Sequence, residues 1–250
     1  MGKSSPNGRR RAADRAGLVI VHSSDLHVDD GSTAEAHGGD GTAGLRAVLR
    51  TAQDLAADLV LLAGDIFEHN RLPMALLDRT TRLLGDAGRP VVILPGNHDP
   101  ALPESPWRRG GVSDPENVHV LGVTHDEAVL FAEFELEIWG HAHRDYDDMF
   151  PLRRPRRRTT RWQIATAHGH YDPKPDLSTD MRAAWLISDI ELAATGADYV
   201  ALGHWNRPVK VGRGVPAYYS GSPELAKTVN VVKLAYGGPA GVRRVPIRWA

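Results

Sequence analysis

The stretch Leu59-Val60-Leu61-Leu62-Ala63-Gly64-Asp65-Ile66-Phe67-Glu68 decides the fold class. Five consecutive apolar residues closed by a glycine read as a short strand buried on both faces, the kind that parallel sheets contain. An acid set directly after such a strand occupies the rim where open α/β sheets keep their sites. The same arrangement recurs on either side. Residues 18–21 lead into Ser24-Asp25-Leu26-His27, and residues 91–94 into Gly96-Asn97-His98-Asp99. Later, residues 164–167 run into His168-Gly169-His170, and residues 199–202 into Gly203-His204-Trp205-Asn206. Between the early strands, residues 42–56 set Leu45, Val48, Leu49 and Leu55 near one helical face, and residues 73–84 make a second helix of similar character. Strands alternating with helices define an α/β or layered α+β domain. A hairpin pairing residues 128–131 with 134–139, and late strands around 215–219 and 229–234, complete the expected elements.

Composition narrows the function classes. The 250 residues are 42% hydrophobic and 24% charged, which excludes disorder, collagen and coiled coil. Thirty Lys+Arg against 31 Asp+Glu leave a net charge of −1, so any nucleic-acid contact must come from a local patch. With no cysteine, disulfides and thiolate–metal bonds are excluded, and a metal must be held by nitrogen and oxygen. Residues 1–17 are polar and basic, lack the apolar stretch of a secretory signal, and read as a mobile tail. Residues 18–250 read as a single domain. No apolar run approaches the roughly 20 residues that span a bilayer, so the expected location is the cytoplasm, with no membrane partner.

Five strand-end clusters supply imidazole, carboxylate and amide oxygen, a donor set suited to Mn, Fe, Zn, Co or Ni. Asp25 and His27 lie two apart, so an extended segment would turn both to the same side. The carboxylate of Asp65 can bridge two ions about 3.5–4 Å apart, the spacing of two-metal hydrolytic sites. No Gly-x-Ser-x-Gly turn and no phosphate-cradling Gly-x-x-x-x-Gly-Lys loop occurs.

In this order, Asp25-x-His27, Gly64-Asp65-x-x-Glu68, Gly96-Asn97-His98-Asp99, His168 and Gly203-His204 resemble the calcineurin-like metallophosphoesterase superfamily. Within it, the nearest branch is that of the bacterial DNA-repair exonucleases of the SbcD type, and the likeness covers about residues 18–225. The resemblance implies a four-layer α/β/β/α sandwich of two mixed sheets flanked by helices. It also implies two divalent ions, manganese foremost. Asp25, His27 and Asp65 would hold the first ion; Asp65 again, Asn97, His168 and His204 the second. His98 would meet the phosphoryl oxygen or leaving group, with Glu68 and Asp99 orienting it. The implied reaction is hydrolysis of a phosphodiester by a hydroxide activated between the ions. Two departures stand out: the family usually has Asp where Glu68 stands, and a second His, completing the first ion's shell, where this chain has Asn206. An amide oxygen there leaves the first site weaker or more selective for harder ions.

Substrate and partner readings stay open at this stage. Arg153, Arg154, Arg156, Arg157, Arg158 and Arg161 fall in a Pro-broken loop that is either a solvated surface segment or a phosphate-backbone contact for nucleic acid. A phosphodiesterase acting on nucleic acid or nucleotides, a small-molecule phosphomonoesterase, and a non-catalytic module with a degenerate metal site are all compatible with the chain. Gly140-His141-Ala142-His143 mimics the spacing of the last motif, but its order in the chain argues against a ligand role. His22 and His69 are expected to be structural, and His37 solvated.

Overall fold

The computed structural model describes residues 17–145, 150–152, 154–175 and 185–249. β1 (Leu18–Ser23), β2 (Leu59–Ala63), β3 (Val91–Leu94) and β4 (Val118–Val120) run parallel in one six-stranded sheet. The second sheet contains β5 (Ala128–Phe131), β6 (Leu136–Trp139), β7 (Trp162–His168), β10 (Tyr199–Gly203), β11 (Val209–Val211) and β12 (Ala217–Tyr219), in the order β11-β12-β10-β7-β6-β5. The chain then returns to the first sheet, where β13 (Thr228–Leu234) pairs antiparallel with β1 and β14 (Gly241–Pro246) forms the edge. The remaining strands, β8 (His170–Tyr171) and β9 (Leu186–Ile187), make a small parallel pair.

Alternation along each central strand explains why the layers stack. In β2, Leu59, Leu61 and Ala63 face the second sheet and join Ile164, Tyr199 and Ala201 in an inter-sheet core. A short helix, α1 (Ser32–Ala36), follows the loop after β1 and precedes the two long ones. Val60 and Leu62 face away from the second sheet, against Leu45 and Val48 of α2 (Ala43–Asp54) and Leu77 and Leu84 of α3 (Met74–Gly85). On the far side of the second sheet, Ala165, Ala167, Val200 and Leu202 pack against Leu192 of α4 (Asp189–Ala194). Successive side chains of a strand point to opposite faces, so a strand apolar at every position must be covered twice. The result is the four-layer arrangement of two mixed sheets flanked by helices.

The expected strands and the 128–139 hairpin form, and the two long helices fall within about two residues of their expected bounds. The structure adds β4, β8, β9, β11 and β14, which lack the continuous apolar runs of β2 and β3. Among the described residues, no helix is long and apolar enough to cross a membrane.

Candidate metal centre

The candidate ligands gather where β1, β2, β3, β7 and β10 end. The loop after β1 is tied alongside the loop after β2: the Asp25 N–H donates to Gly64 O (2.9 Å), the His27 N–H to Asp65 O (3.1 Å), and the Val28 N–H to Ile66 O (2.8 Å). Asp25 and His27 do not sit in an extended segment, as the spacing predicts; both have left-handed backbone, with φ of 53° and 46°. Asp65 (φ 52°) and His204 (φ 104°) share this feature. A non-glycine residue at positive φ costs of order 1–2 kcal/mol and persists only where surrounding bonds fix it, most often at functional sites. Gly96 explains how Asp65 fits: a Cβ there would stand 2.1 Å from Asp65 Oδ1.

Side-chain donors converge above this backbone. Asp65 Oδ1 accepts the His98 N–H (2.9 Å), while its Oδ2 lies 3.1 Å from His168 Nε2. Asn97 Oδ1 faces both His168 Nε2 (3.0 Å) and His204 Nδ1 (3.2 Å). The Nδ1–H of His168 donates to Ala63 O (2.9 Å), which orients the ring. Asp25 accepts the His204 N–H (3.1 Å to each oxygen) and the Ser24 hydroxyl (2.5 Å). Ser24 in turn lies 2.9 Å from the Ser220 hydroxyl. Ser24 and Ser220 were absent from the sequence-level candidates, yet both sit just past a strand end, the signal that found the others.

Packing these groups together shifts their titration. Burial pushes the Asp25 carboxyl up. Burial also acts to raise Asp65, but His168 and His98 together, through charge and hydrogen bonds, hold it below the usual carboxylate range. Burial opposes a charge on His168, yet the neighbouring Asp65 carboxylate raises it to about 9. Burial, reinforced by His168, lowers His204 to about 4.

These donors fit divalent ions. Asp65 Oδ2 and Asn97 Oδ1 stand 3.1 and 3.0 Å from His168 Nε2. Ligand atoms at about 2.1 Å from an octahedral ion are about 3 Å apart. Ligand atoms of Asp25, His27 and Asp65 all lie within 4.8 Å of one another, a second candidate group sharing Asp65 with the first. Every donor is nitrogen or oxygen, as hard and borderline ions require.

The remaining sequence candidates divide. His98 is exposed beside the cluster, and its Nδ1–H donates to the Glu68 backbone carbonyl (2.9 Å). Burial works to lower His98, but Asp65 and Glu68 raise it on balance. Asp99 departs from its expected role. Its buried carboxylate accepts the N–H groups of Gly96 (2.6 Å), Ile66 (2.8 Å) and Phe67 (3.0 Å), clamping two ligand loops and leaving the His98 ring to Glu68. Asn206 is exposed and takes part in none of the hydrogen bonds described for the cluster. His143, buried, packs edge-on behind His168 with ring centroids 5.8 Å apart, while His141 lies 3.4 Å from Glu127. His22 is buried against Tyr199, as a structural residue should be, but His37 is not solvated: it meets Glu224 (2.6 Å) and stacks on Trp249.

The arginine loop lies at the opposite ends of the strands. Arg156 meets the buried Glu137 of β6 (3.2 Å), and Arg158 meets Asp198, just before β10 (2.6 Å). Arg161 lies over the Tyr236 ring (4.2 Å). Arg153 is outside the described residues. The six-residue step from Trp162 to His168 along β7 separates this rim from the donor cluster by about 20 Å.

The chain is thus a two-sheet sandwich with a nitrogen–oxygen donor cluster at its strand ends, able to hold divalent ions. Residues 18–208 match the calcineurin-like phosphoesterase family, and the chain belongs to that family. Its members are generally phosphoester hydrolases with a two-metal site. Among solved structures, TT1561 of Thermus thermophilus is 13% identical with a TM-score of 0.59, over 93% of this chain and 100% of that one. A second solved structure, 12% identical, has the same coverage and TM-score. At these identities the likeness is one of fold. No curated protein matches in sequence.

Proposed function

We propose that this chain is a metal-dependent phosphodiesterase acting on nucleotides or nucleic-acid ends. The supporting observation is the convergence of Asp65, Asn97, His168 and His204, with Asp25 and His27 alongside, beneath an exposed His98. Two divalent ions held there, manganese foremost, would supply positive charge to the phosphoryl oxygens and a water of lowered pKa. His98, with Nδ1 committed to the Glu68 carbonyl, presents Nε2 to the substrate. Its raised pKa favours delivery of a proton from Nε2 to the departing oxygen. Asp99 holds the two loops at fixed spacing, and Ala63 O fixes the His168 ring.

The likeness of the motifs to DNA-repair exonucleases favours a diester. The arginine loop, anchored on the far rim, favours a short substrate over a duplex laid along the molecule. Because the two sheets share a core and both contribute donors, we take residues 18–250 as one catalytic unit. A nucleotide substrate would place the enzyme in the cytoplasm, where such molecules are turned over.

Manganese-loaded protein assayed against a chromogenic bis-aryl phosphate and its monoester tests the reading. A diester preference of about tenfold or more is expected; a monoester preference replaces it with a phosphomonoesterase. Turnover no greater than that of His98→Ala with either substrate overturns catalysis and leaves a non-catalytic binding module.

A further inference from the structure

We propose that His170 is a substrate-binding residue, donating its Nε2–H to a phosphoryl oxygen at the second ion, and that the Trp205 indole sets the ring for this task. The inference rests on the phosphoesterase reading above and concerns what meets the substrate beside His204.

His170 opens β8, two residues past His168, and is exposed. Its ring stands edge-on to that of His204, with centroids 6.1 Å apart. His98, also exposed, stands instead against His27, with centroids 5.0 Å apart. The two exposed imidazoles therefore neighbour candidate ligands of different ions.

An indole nitrogen can only donate. The Trp205 Nε1–H donates to His170 Nδ1 (3.0 Å), so Nδ1 is the accepting nitrogen and the hydrogen of the neutral ring lies on Nε2. Among the described residues, no hydrogen bond engages Nε2. An exposed residue beside the donor cluster thus keeps one N–H in reserve, with its tautomer fixed. A phosphoryl oxygen is a charged acceptor suited to such a donor, and a neutral ring adds no charge to repel the ions.

The ring is also braced from below. Trp205 stacks on the buried Tyr219, with centroids 4.5 Å apart and planes inclined by 11°. The Tyr219 hydroxyl donates to Gly169 O (2.6 Å), the Gly169 N–H to Gly203 O (3.2 Å), and the His170 N–H to Trp185 O (2.8 Å). A Cβ on Gly169 would stand 2.3 Å from Trp185 O, so glycine is what lets the chain turn here. Side chain and backbone of His170 are fastened to the strand ends that carry His168 and His204. Setting the donor before the ligand arrives lowers the ordering cost of binding.

The test uses the full chain loaded with Mn²⁺. Calorimetry measures its affinity for inorganic phosphate, electron paramagnetic resonance counts bound ions, and the bis-aryl phosphate supplies KM and kcat. His170→Ala should weaken phosphate binding and raise KM by about tenfold, with kcat within about twofold and the ion count unchanged. This split separates His170 from His98, whose loss acts on kcat. His170→Phe, which keeps a ring but no N–H, should behave as His170→Ala and decides the matter if the latter fails to fold. Trp205→Phe, which keeps a ring on Tyr219 but releases Nδ1, should fall between these and the parent; parental phosphate affinity there overturns the part given to the indole. Parental phosphate affinity and KM in His170→Ala overturn the proposal, as does loss of an ion, which would mean that the ring only supports His204. A parent chain that binds no phosphate also overturns it, whereas one that binds phosphate without hydrolysing the diester removes the catalytic reading alone.

Discussion

Asp65 Oδ2 and His168 Nε2 stand 3.1 Å apart, both side chains sealed from solvent. The other nitrogen of His168 donates to Ala63 O at 2.9 Å. Both imidazole nitrogens therefore face acceptors, and without an ion the ring is a buried cation paired with a buried carboxylate. Its pKa of about 9 is the consequence.

The pH dependence of the metal-free protein follows from that pair. The folded pKa lies above the unfolded value of about 6.5, so the stabilisation is complete below about pH 6.5 and lost as pH rises through 9. Urea unfolding of metal-free protein between pH 6.5 and 9.5 should show a loss on the order of 2–3 kcal/mol. His168→Gln should flatten the profile, and a flat profile in the parent chain would refute the pairing.

Metal binding must expel the same proton. Below pH 9 the affinity for the ion at His168 should climb about tenfold per pH unit, with about one proton released per ion. Calorimetry in buffers of different ionisation enthalpy measures the release directly. A buffer-independent heat would exclude His168 as a ligand.

Acid attacks elsewhere. Burial lowers His22 and His143 to about 3, so each is neutral in the fold and takes up a proton on unfolding. Their contribution is present above about pH 6.5 and lost as pH falls toward 3, each worth roughly 2 kcal/mol by pH 5. Melting temperature should drop below pH 6.5, and His22→Phe should reduce the drop. An unchanged slope in that variant would be the contrary result.

His98 and Asp99 are neighbours with separable tasks. His98→Ala should cut kcat by about 10²–10⁴ while metal content and melting temperature stay put. Asp99→Ala strands three backbone N–H groups and should cost on the order of 3 kcal/mol or more, with loss of metal. The contrast is read by pairing metal analysis with a thermal melt; equal melting temperatures in the two variants would contradict it.

Arg158→Ala removes the contact to Asp198 on the far rim and should lower stability by about 1 kcal/mol, both partners being partly exposed. Turnover of a small diester should not change. A selective loss of activity on long DNA would instead tie the loop to substrate.

Much of this could be read from residues alone, and the exceptions share a cause. β2 and β3 are apolar throughout because they are covered on both sides, and that pattern is visible locally. β14 lies at a sheet edge with none of its residues buried and leaves no comparable trace. Strand-end position located Asp25, Asp65, Asn97, His168 and His204 together. It could not reveal that Asp25 and His27 adopt left-handed backbone, because residue type does not announce it. Nor could spacing show that Asp99 turns to three amides rather than to His98, or that Glu68 reaches His27, since both depend on how two distant loops abut.

The fastening of Arg156 and Arg158 to Glu137 and Asp198 has a practical side. It sets a salt-bridged rim about 20 Å from the donor cluster. A dye, bead linkage or sensor surface coupled near that rim would turn the donor cluster of every copy outward, so ion uptake could be followed on oriented, immobilised protein.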